Sequence, residues 1–314
     1  MSKEASVTQE QAVAGVRTER EIASQPGCWR QAAGLAADAA VVLPAPGERV
    51  AVVGCGTSWF IAQSYAAARE ESGLGETDAF SASEMPRGRR YDRTLFLSRS
   101  GTTTEILEAA ERVRGTSRTV AITADARTPV GMVVDDMIEL AFADEESVVQ
   151  TRFATTELAL LRAHLGADIE PSARAAERVL LEPVAPELLA ARQFTFLGTG
   201  WTYGLANEAA LKLRESAGLW TESYPAMEYR HGPAAVTGKH SVVWVLGPAP
   251  AGLADDIAMA GGLAWVVDED PMAALVRVHL LALAKARAAG LDPDQPRNLT
   301  RSVILTPAGP GRTS

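Results

Sequence analysis

The sequence predicts an α/β protein of two tandem units, each a parallel sheet covered on both faces by helices. Three observations carry this reading. Short apolar runs such as "ERVAVVGCG" (48–56), "TLFLS" (94–98) and "TVAIT" (119–123) alternate with segments of helical character, the pattern of buried parallel strands joined by helical crossovers. A second series follows, with "FTFLGTG" (194–200), "SVVWVLGP" (241–248) and "GLAWVVDED" (262–270). The openings of the two series also match: "VAVVGCGTSWFIA" (50–62) aligns with "FTFLGTGWTYGLA" (194–206), placing Gly54, Gly56 and Ala62 on Gly198, Gly200 and Ala206 at a constant offset of 144.

Taken in order, residues 1–45 read as an N-terminal helical segment. A first domain is expected over 46–170, with strands at 48–56, 94–98, 119–123 and "DMIEL" (136–140). Its helices are expected at 58–72, at "GTTTEILEAAERVR" (101–114), which opens on polar capping residues, and at "VVQTRFATTELALLRAHL" (148–165). The stretch 167–192 is rich in Pro, Ala and charge and reads as short helices, with a linker at 171–192. A second domain is expected over 193–290, containing the strand-like "LWTES" (219–223) and ending in a helix over 271–289; a tail follows at 291–314. After their second strands the halves diverge: "SRSGTTTE" (98–105) is dense in hydroxyls and "GPAPAGLA" (247–254) is not, so one site per chain is expected, assembled from unequal halves.

The 314 residues are 47% apolar and 22% charged, a globular composition. The net charge of −9 argues against non-specific binding to nucleic acid or a membrane surface, while leaving room for an anionic small substrate in a locally positive pocket. The start has no apolar core of a signal peptide and no run is long enough to span a membrane, so a cytoplasmic location is expected. Two cysteines, Cys28 and Cys55, make neither a disulfide framework nor a CxxC metal site, and no metal or cofactor is expected.

Two loops stand between a predicted strand and a predicted helix: "GCGTS" (54–58) and "SRSGTT" (98–103). Such loops offer free backbone N–H groups and the positive end of a helix dipole. Gly56 and Gly101 permit close backbone approach, and Ser58, Ser98, Ser100 and Thr103 add hydroxyls. Either loop alone reads equally as helix N-caps. Together in one α/β unit they suit a phosphate monoester. Neither is a P-loop or a dinucleotide fingerprint, since GxxxxGK[ST] and the third glycine are missing.

In "EAALKLRE" (208–215), Glu208, Lys212 and Glu215 share one helix face by i, i+4 and i, i+3 spacing. A solvated ion-paired surface would look the same. The helix, however, follows a strand–glycine turn and leads to "EYRHGP", where Gly232 and Pro233 fix a loop presenting His231. A carboxylate, an ammonium and an imidazole together suit proton abstraction beside a carbonyl. The other histidines, His164, His240 and His279, are isolated and read as structural or surface residues.

At these residues the chain resembles the sugar isomerase (SIS) superfamily, most of all the isomerase half of glucosamine-6-phosphate synthase and its stand-alone relatives, among them amino-sugar-phosphate deaminases/isomerases and fructosamine-6-phosphate deglycase-like proteins. The resemblance runs from "EIASQP" (21–26) through "GCGTS", "SRSGTTTE", "ESVVQTR" (146–152), "EAALKLRE" and "HGP" to "DPDQPRNLTRSV" (292–303). It implies two tandem SIS domains with phosphate held by the first, at Thr57, Ser58, Ser98, Ser100 and Thr103. It further implies Glu215 as the base moving a proton between C1 and C2, Lys212 beside it, and Val148 lining the sugar. His231 matches the ring-opening histidine, which in this family the neighbouring subunit supplies, so a homodimer with shared sites is expected.

Three departures stand out. Arg99 replaces a neutral polar residue of the synthase and either adds a phosphate contact or points to solvent. Arg301 replaces the tail's active-site lysine at the sugar, and an arginine is bulkier and does not deprotonate. No glutaminase domain precedes residue 21 and the start offers no cysteine nucleophile, so glutamine-dependent ammonia transfer is not expected. The expected activity is therefore deamination and isomerisation of an aldosamine 6-phosphate. Alternatives are simple aldose–ketose isomerisation of a hexose 6-phosphate, fructosamine-6-phosphate deglycation, or phosphosugar sensing without catalysis.

Overall fold

The computed structural model describes residues 13–305. The first twelve residues of the expected N-terminal helical segment and residues 306–314 of the expected tail lie outside them. The chain opens with helices α1 (Val16–Gly34) and α2 (Ala36–Ala39). A first series follows: β1 (Val50–Gly54), α3 (Thr57–Glu71), β2 (Thr77–Ser81), β3 (Arg93–Leu97), α4 (Thr104–Val113), β4 (Arg118–Thr123), β5 (Asp136–Glu139) and α5 (Arg152–His164). Helices α6 (Glu170–Leu180) and α7 (Pro186–Ala190) lead into β6 (Gln193–Gly198), α8 (Thr202–Ala217), β7 (Thr221–Pro225), β8 (Ser241–Leu246), α9 (Leu253–Met259), β9 (Leu263–Val266) and α10 (Pro271–Ala288).

The strands form two sheets, ordered β2-β1-β3-β4-β5 and β7-β6-β8-β9. All pairings are parallel, with Val52 opposite both Ala79 and Leu95 in the first sheet and Phe196 opposite both Ser223 and Trp244 in the second. The central strands β1, β3, β6 and β8 are buried along their whole length except at Gln193, as near-continuous apolar runs require. One apolar cluster joins Val52, Leu95 and Val120 of the first sheet to Phe194, Phe196 and Trp244 of the second, with Trp29, Leu158 and Leu275 from the helices.

The repeat seen in sequence is a repeat in space. Gly56 and Gly200 both take a positive φ, 54° and 56°, which glycine adopts without steric cost. Helices α3 and α8, the first helix of each series, cross at close range. A Cβ on Gly204 would lie 2.2 Å from Ser64 Oγ and 2.4 Å from Phe60 O. Beside it Asn207 Nδ2 donates to Gln63 Oε1 at 2.7 Å, a bond between two positions that are themselves 144 residues apart.

Two sequence expectations need correction. The helix expected from Val148 starts at Arg152. Glu145 accepts from Thr151 N and Arg152 N, both at 2.7 Å, and so pins the preceding segment as a loop while satisfying the free donors of the helix start. Strand β2 was not expected. Its sequence, "TDAFS", has only two apolar residues, and as an edge strand it is mostly half-buried.

Candidate functional site

The two hydroxyl-bearing loops meet at the carboxyl ends of β1 and β3. Thr57 and Ser58 form the first turn of α3 and are buried, and Ser98 and Arg99, directly after β3, are buried as well. Ser98 Oγ accepts from Gly101 N at 3.2 Å and Ser100 Oγ from Thr102 N at 3.3 Å, which shapes the second loop as a turn opening onto α4. Ser58, Ser98, Ser100 and Thr103 line one cavity of about 30 Å³, together with Gln150 and Arg301. Thr57 belongs to the same corner, but its hydroxyl turns the other way, to α8.

There it meets Lys212. The ammonium is fully buried and donates to Thr57 Oγ1 at 3.0 Å and to Glu215 Oε2 at 2.5 Å, with Glu208 Oε1 at 3.3 Å. The helical face expected to carry three charged groups is therefore the buried face. Burial pulls the Lys212 ammonium down, but the two flanking carboxylates outweigh it and hold the group above its ordinary value. Glu208 is also fully buried and neither of its oxygens makes a well-aligned hydrogen bond. Burial, opposed by Lys212 and helped by Glu215, pushes its carboxyl up to about 7. Glu215 is different: its side chain is 20% exposed and faces a cleft of about 380 Å³ that Arg214, Arg297 and Asn298 also line. One of the three carboxyl and ammonium groups thus reaches a space where a small molecule can sit.

Arg99 neither points to solvent nor faces the small cavity alone. Its guanidinium is buried against Glu145 at 3.4 Å, both side chains being almost inaccessible. It also donates to the carbonyls of Ser147 at 3.1 Å, Val148 at 3.4 Å and Arg301 at 3.2 Å. Val148 is half-buried, and its N–H donates to Asp294 O at 3.4 Å, so the loop carrying it is tied both to Arg99 and to the C-terminal tail. Arg301 turns its own guanidinium to Asp144 Oδ1 at 2.5 Å and to the Glu145 carbonyl.

His231 ends a 3₁₀ turn, Glu228–His231, and is exposed. Among the described residues no hydrogen bond links it to Glu215 or Lys212, and it does not line the cleft that Glu215 faces. Sequence reasoning also missed several polar groups at this site. Gln150 lines the small cavity with a buried, unpartnered Oε1. Glu145 organises the loop beside it, and Ser302 of the tail bonds to the second hydroxyl loop at Ser100 and Thr102. Nothing local in the sequence signals any of the three.

No family model matches the chain. Among curated proteins it is 31% identical to a glutamine–fructose-6-phosphate aminotransferase [isomerizing] of Gloeobacter violaceus, over 82% of this chain and 52% of that one. It is 29% identical to the enzyme of the same name from Methanothermobacter thermautotrophicus, with the same coverage. The chain thus spans about half the length of the curated relatives it matches. Among solved structures, a glucosamine-6-phosphate deaminase from Thermotoga maritima superposes with a TM-score of 0.76 at 24% identity, covering 92% of this chain and all of that one. A tagatose-6-phosphate ketose/aldose isomerase from Escherichia coli gives 0.72 at 18% identity, over 94% and 98% of the two chains. With its parallel sheets, the repeated strand–glycine turn and these relatives, the chain has the fold of the sugar isomerase (SIS) superfamily and is similar in sequence to the isomerase half of the glutamine–fructose-6-phosphate aminotransferases.

Proposed function

We propose that the chain converts an aldosamine 6-phosphate to a ketose 6-phosphate and ammonia. In this reading 46–170 and 193–290 are the two SIS domains. The observation that carries it is the Lys212 ammonium, which bonds at once to Thr57 of the first hydroxyl loop and to Glu215. A substrate whose phosphate sits on Ser58, Ser98, Ser100 and Thr103 would extend past this lysine toward the Glu215 carboxylate.

The chemistry follows from those placements. Once the sugar ring is open, Glu215 takes the proton from C2 to give an enolamine and returns it to C1, leaving an imine at C2. Water adds to that carbon and ammonia departs, so one water is consumed for each ammonia formed. Lys212 holds Glu215 in place through its hydrogen bond to Oε2. Arg99 and Glu145 fix the loop carrying Val148 along the sugar, and Arg301 of the tail flanks the same pocket before substrate binds. Ring opening falls to His231. Its exposure and its distance in sequence from Glu215, 16 positions, support delivery to the site of a partner subunit in a homodimer. Unpaired Cys28 and Cys55 support a reducing, cytoplasmic setting.

The test is ammonia release from a panel of hexosamine 6-phosphates. Ketose formation from an aldose 6-phosphate without any ammonia from the panel would instead establish simple isomerisation. A second reading has its own support: the cleft at Glu215 is roomy and carries Arg214 and Arg297, which suits a carboxylate-bearing substituent on the substrate nitrogen. On that reading a fructosamine 6-phosphate bearing an amino acid is cleaved faster than any free hexosamine phosphate.

A further inference from the structure

The second hydroxyl loop is already occupied by the chain's own tail. Ser100 Oγ and Thr102 Oγ1 donate to Ser302 Oγ at 3.1 and 2.9 Å, and Thr103 Oγ1 lies 3.4 Å from it. At the start of α4, Thr104 N donates to Val303 O at 3.2 Å, and Thr104 Oγ1 accepts from Leu305 N at 2.9 Å. The donors that a phosphate would use, two or three hydroxyls and a helix N-terminal N–H, are thus taken by residues 302–305 of the same chain.

The tail also divides the space. On its inner side is the cavity of about 30 Å³ bounded by Ser58, Ser98, Ser100 and Thr103. That is room for roughly one or two waters and no phosphate group. On its outer side is a cavity of about 490 Å³, and Arg99, Ser100 and Arg301 line both. The partition between them is the Arg301–Ser302 segment.

Little apolar burial holds this segment down. Val303, Ile304 and Leu305 are 50%, 68% and 56% exposed. What holds it are neutral hydrogen bonds to the loop, the bond from Arg99 to Arg301 O, and the Arg301 pairing with Asp144. A phosphate replaces the neutral loop bonds with charge-assisted ones, which are roughly twice as strong.

We propose that residues 301–305 form a strap that competes with the substrate phosphate for the Ser100–Thr104 loop, so that binding requires the strap to leave. The proposal rests on the phosphate reading of that loop. Its consequence is that the apparent affinity for phosphosugar is lowered by the fraction of molecules in which the strap is seated.

Calorimetry with inorganic phosphate and with glucosamine 6-phosphate tests it, on the full chain and on two variants. Ser302→Ala removes the plug's hydroxyl. Asp144→Ala loosens the anchor of Arg301 and leaves every hydroxyl of the loop in place. Both variants are expected to bind roughly 2- to 10-fold more tightly than the parent, the range of a lost neutral hydrogen bond. Trypsin cleavage after Arg301 is expected to speed up when glucosamine 6-phosphate saturates the parent. Unchanged or weaker binding in either variant, or protection of Arg301 by the ligand, overturns the strap while leaving the phosphate site standing. Absence of binding by all three chains overturns the phosphate reading and the strap with it.

Discussion

Lys212 Nζ lies 3.0 Å from Thr57 Oγ1, a bond between the middle of α8 and the first turn of α3. It joins the first helix of one series of strands to the first helix of the other. A buried ammonium with three oxygen neighbours is a costly group to build unless all three are present. Of the charged groups on this face, Glu215 is the one that reaches the cleft.

Replacing Glu215 by Gln is expected to keep the fold and phosphosugar binding while lowering turnover by roughly 10²–10⁴-fold, the usual worth of a positioned general base. Steady-state ammonia release and calorimetric affinity for a hexosamine 6-phosphate, measured together, check this. Near-normal turnover removes Glu215 from the mechanism.

Ser58→Ala combined with Ser100→Ala is expected to weaken phosphosugar binding, each lost bond to the charged phosphate costing on the order of 1.5–3 kcal/mol. Unchanged affinity places the phosphate elsewhere.

Glu208 gives a pH signature. Its folded carboxyl titrates at about 7 against an ordinary value of 4.5, so the folded chain binds this proton more tightly than the unfolded one. Stability from this group is complete below the ordinary value and is lost as pH rises through 7, on the order of 3 kcal/mol across that window. Glu208→Gln is expected to flatten that part of the stability profile. Buried Glu157 also has a raised carboxyl, from burial first and Glu145 second, so the readout is the difference between parent and variant in the slope of urea-unfolding free energy against pH. Identical slopes would show that Glu208 titrates normally.

Arg99→Met is expected to cost on the order of 3–5 kcal/mol, because it leaves the buried Glu145 carboxylate without its charge partner at Oε2. Adding Glu145→Gln should return part of that loss. Equal stabilities for parent and Arg99→Met in urea would mean the pair contributes nothing.

Shared sites are tested by mixing. Inactive Glu215→Gln and inactive His231→Ala proteins are combined under conditions that exchange subunits. A mixed C2 dimer holds one site with both original residues, so activity returns. Demonstrated exchange with no recovery places His231 in its own chain's site or outside catalysis.

Much of this was readable from the residues, and the remainder divides by range. The i, i+3 and i, i+4 spacing of Glu208, Lys212 and Glu215 put them on one face, and their mutual contacts followed. That the face is buried could not be read locally, because it depends on α3 lying against α8. Strands β1, β3 and β6 were legible as apolar runs ending in turn residues. The edge strand β2 was not, since its residues need only half-bury. The partners of Arg99 lie 46 to 202 residues away and those of Ser302 about 200, distances over which spacing carries no information.

The bond between Gln63 and Asn207 has a further meaning. Equivalent positions of the two series meet each other there, as equivalent residues do across the axis of a two-fold dimer. The chain is in this sense a dimer folded into one polypeptide, and the covalent join frees its halves from being identical. A true two-fold pair would have to carry hydroxyl loop and lysine helix in both partners. Here one half carries the hydroxyl-rich loop and the other the lysine helix, and each differs from its counterpart because the other is always present at the same axis.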